Sequence, residues 1–136
     1  EVKRMDFLDR VKEHIEQNVT LNAPIVFGLL DTVPSSIAIR PIPSLVNDRY
    51  VDNEKTFTFA FQVLVKDADH FTAYNIIQSI FSVLDGLGKD AIPSQDGSYV
   101  FVKCECYTLP NFVEKTDKDE YIYTTIFYAE LAKGGQ

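Results

Sequence analysis

The chain has 136 residues, of which 46% are hydrophobic and 24% charged, and it carries a net charge of −7. This is globular usage with enough apolar surface to offset chain entropy, which excludes a disordered polymer. The acid excess also speaks against a protein that grips DNA or an anionic membrane, because both need a surplus of Lys and Arg.

The first predicted element is a helix over Asp6 to Asn18. Leu8, Val11, Ile15 and Val19 recur with helical spacing and form one apolar stripe, while Arg10, Lys12, Glu13, Glu16 and Gln17 hold the wet face. After Pro24 a short apolar run, Ile25 to Leu30, reads as a strand from its length and its flanking turn residues. Thr32 to Ser36 is a turn signal, and Ile37 to Arg40 form a second strand that Pro41 and Pro43 end or place at a sheet edge.

A long polar connection leads to the clearest strand. Phe57, Phe59, Phe61, Val63 and Val65 alternate with Thr58, Ala60, Gln62, Leu64 and Lys66. Burying that face contributes roughly 7–15 kcal/mol gross, at about 1.5–3 kcal/mol per side chain. A slip of one residue would bury Gln62 and Lys66, so the register should be firmly set. The second and third strands are expected to form a hairpin.

Asp67 and Asp69 signal the start of a helix over about His70 to Leu87, whose broad stripe runs from Ala73 through Ile77, Ile80 and Leu84. Gly86 and Gly88 end it. A fourth strand is expected over Tyr99 to Leu109, with Val100, Val102, Cys104 and Cys106 on its apolar face. Residues 110–120 read as a charged loop. A fifth strand over Tyr121 to Leu131 closes a single α+β domain spanning residues 1–136, with 1–4 and 132–136 as flexible ends. The order α-β-β-β-α-β-β predicts a mostly antiparallel, mixed sheet with two helices on one face.

Strand five is apolar on both sides: Tyr121, Tyr123, Phe127, Ala129 and Leu131 alternate with Ile122, Ile126 and Tyr128. Two helices cover one face only, so the other face is expected to expose rings and aliphatic groups to a neighbour. The alternative is a central strand five covered on both sides by loops.

Chemistry-bearing motifs are scarce. Gly86-Leu87-Gly88 lacks the rest of a nucleotide fingerprint. His14 and His70 are solitary, and no serine has a His/Asp arrangement that makes it a nucleophile. Cys104 and Cys106 stand two apart on a strand, which does not suit a mutual disulfide, and no second pair follows at zinc spacing. They read as small thiols in a reducing compartment. The acids Asp48, Asp52 and Glu54 lack the glycine and terminal glutamate of a calcium loop. No catalytic, cofactor or metal residue is assigned, and the chain is read as an assembly subunit rather than an enzyme. Candidate contact residues are Arg49, Tyr50 and Asp52 in the long loop, and Tyr121, Tyr123 and Tyr128 on strand five.

An N-terminal helix, the strand PSSIAIRPI, a long loop, TFTFAFQVLVKDAD leading into a helix, and a final YIYTTIFYAEL together resemble the tail terminator proteins of long-tailed, lambda-type bacteriophages. The likeness is strongest to the prophage "minor capsid" branch of Gram-positive bacteria. It spans about Met5 to Leu131 and rests on element order and strand texture.

The resemblance implies a homo-oligomeric ring, commonly a hexamer, at the head-proximal end of the tail tube. Such a ring stops tube polymerisation and offers a surface to the head. The implied partners are further copies of the chain, the major tail tube protein and a head-completion or connector protein. DNA would only pass through the lumen, no membrane is involved, and the protein would occupy the neck region of the virion after assembly in the host cytoplasm. Two other readings stay open on the residues alone: another phage neck or minor virion protein, and a small cytosolic ligand-binding α+β domain.

Overall fold

The computed structural model describes residues 6–43 and 56–133. Helix α1 covers Phe7–Asn18, and three strands follow: β1 (Ile25–Phe27), β2 (Ser36–Ile42) and β3 (Thr56–Asp67). Helix α2 covers His70–Leu84, and β4 (Tyr99–Lys115) and β5 (Tyr121–Lys133) complete an α+β fold of order α-β-β-β-α-β-β. The five strands form one mixed sheet in the order β1-β2-β3-β5-β4. β1 pairs with β2 in parallel, and every other pair is antiparallel. β5 lies between β3 and β4, so the β3-α2-β4 unit steps over one strand.

Both helices pack on one face. Phe7, Val11 and Ile15 of α1 and Ala73, Ile77, Ile80 and Leu84 of α2 share a core with Ile37 and Ile39, with Phe61, Val63 and Val65, and with Phe127, Ala129 and Leu131. The alternation along β3 therefore falls as expected, with the Phe/Val set inward. Phe7, one residue outside the stripe read from the sequence, is the centre of an aromatic cluster. Its ring meets those of Phe59, Phe61 and Tyr99 edge-on at 5.2–5.8 Å. The carboxylate of Asp6 just ahead accepts from the Ser94 and Ser98 hydroxyls and the Gln95 N–H, tying the 89–98 connection to the start of α1. α2 starts more conventionally: the Asp69 side chain accepts from the Thr72 N–H at 3.1 Å.

Three expectations are corrected. α2 stops at Leu84, because the chain after Asp85 turns through Gly86 (φ 78°) and lies along the outside of β4, where Leu87 bridges Cys104. β4 does not end at Leu109 but runs through Pro110 to Lys115. It is an edge strand, where a residue lacking N–H is tolerated. A bulge between Phe101 and Lys103 also shifts its faces, so Tyr99 and Phe101 join Cys104 inside while Val100 is 39% exposed.

The second face of the sheet is covered differently. Residues 28–35 fold over its upper part, where Leu30 and Val26 pack on Ala38, Leu64 and Ile122. Lower down a polar ladder fills the surface: Arg40 donates to Gln62 at 3.0 Å, Gln62 to Thr124 at 2.9 Å, and the Thr124 hydroxyl to the Val63 carbonyl at 2.9 Å. Ile122 of β5 is thus buried within the chain, while Ile126 and Tyr128 on the same face stay half-buried. Among the described residues the exposed large apolar side chains lie within residues 27–33, on α2 and along β4.

Candidate functional site

At the start of α2 an aromatic surface is built from three elements. His70 stacks on Tyr121 with centroids 4.3 Å apart and planes 2° apart. His70 Nε2 and the Tyr123 hydroxyl share a hydrogen bond of 2.7 Å. The Tyr123 ring in turn meets Phe112 edge-on at 5.6 Å and Tyr74 at 5.8 Å. Tyr121 and Tyr123 meet because alternate residues of β5 share the helix face, and Phe112 joins them because β4 is long enough to pair it with Tyr123. The Lys115 ammonium lies 5.6 Å from the Tyr121 ring centroid and 3.5 Å from an Asp119 carboxylate oxygen. Phe71 on α2 and Phe112 leave much of their rings in water beside this cluster.

Tyr128 is separate. It points to the opposite face and stacks on Tyr107 at 4.5 Å with planes 4° apart. Tyr107, Leu109 and Val113 continue this exposed apolar surface along the edge strand. The sequence-derived trio on strand five therefore divides between two faces, and Arg49, Tyr50 and Asp52 lie outside the described residues. Phe71, Tyr74, Tyr107, Leu109 and Phe112 were not singled out in the sequence. The signal for the last three was the apolar content of residues read as the end of a strand and a charged loop.

A second feature stands behind the β4–β5 turn. Lys66 donates to the Asp31 carbonyl at 2.7 Å and lies 3.5 Å from Glu120, whose carboxylate also accepts from the Thr116 hydroxyl at 3.0 Å. These groups line an open depression of about 350 Å³ with Leu30, Lys118 and Ile122. Nearby, burial raises the Asp67 carboxyl, but the Asp69 N–H and the Asn22 and Ser35 side chains more than offset this and hold it below its ordinary value. Burial also pushes the Cys104 thiol up to about 12, which leaves it protonated and inert. Among the described residues no group of three His, Cys, Asp or Glu side chains could hold a metal ion, and no helix is long and apolar enough to cross a membrane.

The exposed aromatic and aliphatic side chains of α2 and β4 offer contact surfaces. The family model of the bacteriophage tail terminator protein matches residues 14–133, from within α1 to the end of β5. The chain belongs to that family. A comparison with curated proteins found no match.

A tail terminator is a structural component of the phage tail, which places this chain among proteins that associate with other tail and head proteins. In a tail terminator the functional site is a docking surface, and the exposed apolar side chains on the β4 edge and beside α2 are its candidates here.

Proposed function

We propose that the protein forms a ring at the head-proximal end of the tail tube, stops tube polymerisation there and offers the head connector its joining surface. The observation that carries this reading is the distribution of exposed apolar side chains on a tail terminator fold. Phe27 of β1 and Leu29 just after it are exposed on one side, and Tyr107, Leu109 and Val113 are exposed along β4, the strand at the opposite edge. Two unlike sticky edges on one subunit favour head-to-tail contacts, which close into a ring when the rotation permits. Further copies of the chain, the tail tube protein and a head-completion protein are the partners in this reading. The net charge of −7 per copy suits a lumen through which DNA slides without adhering.

Tails assembled without this protein test the proposal. Electron microscopy should then show tubes of uncontrolled length, with heads and tails unjoined. Tails of normal length would overturn it.

A further inference from the structure

β4 is an edge strand, but only half of its outer side is open. Over its first half the chain after α2 closes it: Gly86 and Leu87 donate to the Cys104 carbonyl, the Cys104 N–H donates to Leu87, and Asp90 donates to Phe101. The Cys106 N–H donates to the Asp85 carboxylate at 2.8 Å. Among the described residues, no backbone group outside the β4–β5 hairpin bonds to residues 107–115. A free sheet edge is a template for another strand, and proteins usually blunt it. Here, among the described residues, no further chain segment covers the edge where Leu109, Phe112 and Val113 are exposed, and Pro110 and the register shifts around it leave that half irregular.

The ladders fix the height of that open segment. Ile25 pairs with Ile37, Ile37 with Val65, Val65 with Tyr123 and Tyr123 with Phe112. β1 therefore lies level with the open half of β4, on the opposite edge of the same sheet. Three antiparallel steps separate β2 from β4 and β1 runs with β2, so β1 and β4 point in opposite directions. A neighbour added sideways without axial shift meets the open half of β4 with its own β1, antiparallel. Rotation without rise is the condition that closes a ring instead of a filament.

Both edges also carry charge. Beside β1 the Lys12 ammonium lies 6.0 Å from the Phe27 ring centroid and pairs with Glu16 at 3.9 Å. Beside β4, Lys115 lies over Tyr121 and pairs with Asp119. Each of these ammonium groups has a carboxylate partner within its own subunit, and Glu114 adds a further exposed carboxylate to the open half of β4.

We infer that the subunit contact is heterologous: β1 of one copy, with Phe27 and the Leu29 that follows it, docks on Leu109, Phe112 and Val113 in the open half of β4 of the next. This rests on the ring reading above and names the surfaces of that ring.

Cysteine cross-linking tests it. In a Cys106→Ser background, full-length Leu29→Cys and Leu109→Cys chains are mixed with a short bismaleimide, alone and with tail tubes present. The mixture should give at least about tenfold more cross-linked dimer than either chain by itself, the preference expected if the contact is stabilised by about 1.4 kcal/mol or more. Equal cross-linking of Leu109→Cys alone would mean a two-fold symmetric contact and overturn the inference. So would the absence of a mixed product both free and on tubes. If tail length depends on the protein but no mixed product forms, the edge pairing fails and the terminator reading stands.

Discussion

The Lys66 ammonium and the Glu120 carboxylate lie 3.5 Å apart with only 7% and 6% of their side chains exposed, and they join the middle of the sheet to the β4–β5 turn. The same ammonium holds the Asp31 carbonyl, so one cation fastens two covering segments over the second face. Removing one partner leaves the other charge buried. Glu120→Ala should therefore cost about 3–5 kcal/mol in urea denaturation. The Lys66→Met/Glu120→Leu double variant should recover most of that loss, since neither charge is then stranded. Equal and additive losses from the two single changes would show that the groups act independently.

Phe61 sits at the centre of the helix-side core, fully buried between Phe7 at 5.8 Å and Phe127 at 5.4 Å. Phe61→Ala should cost about 3–5 kcal/mol by loss of transfer free energy and opening of a cavity. Phe71→Ala removes a ring of the same size that is 77% exposed. Its effect on stability should stay within about 0.5 kcal/mol, while any effect on assembly remains. Denaturation midpoints for the two variants measure this contrast directly.

How legible these features were in the sequence depended on the range of the forces behind them. The Phe57 to Val65 alternation is a local, period-two pattern, and β3 follows it. The same pattern misled along β4, where one bulge moves Val100 outward and Phe101 inward. Pro110 looked like a terminator because its edge position could not be seen. Lys66 was read as a wet-face residue, yet it is buried, because its cover comes from Asp31 and Glu120, 35 and 54 positions away. Tyr121 and Tyr123 were legible as aromatic texture. Their partners His70, Tyr74 and Phe112 come from two other elements, and which edges of the sheet stayed open depended on a strand order that no local pattern encodes.

Asp67 gives the fold a defined acid sensitivity. Its carboxylate accepts from Asn22 at 2.7 Å, Ser35 at 2.8 Å and the Asp69 N–H at 2.7 Å, and these bonds favour the ionised form. A folded-state value below the ordinary 3.8 means that its stabilisation is complete above the unfolded value and is lost as pH falls through the folded one. Melting temperature should therefore fall more steeply for the parent than for Asp67→Asn between about pH 5 and pH 2. Parallel curves over that window would remove Asp67 from the acid response.

The two sheet edges make the sharpest contrast between folding and assembly. Leu109 is 66% exposed and Leu29 77% exposed, so an added carboxylate at either position stays hydrated in the free subunit. Leu109→Asp and Leu29→Asp should each leave the denaturation midpoint within about 0.5 kcal/mol of the parent. Each should nevertheless fail to limit tail length, because a charge pressed into an apolar contact is left without a partner. In a head-to-tail contact every junction uses one edge of each kind. Either variant alone therefore lacks any sound junction, whereas an equimolar mixture retains one per pair and stops at the heterodimer. Sedimentation of the mixture at high concentration reads this out. A mixture that stays monomeric where the parent associates, or a single variant that still associates, would contradict the pairing of unlike edges.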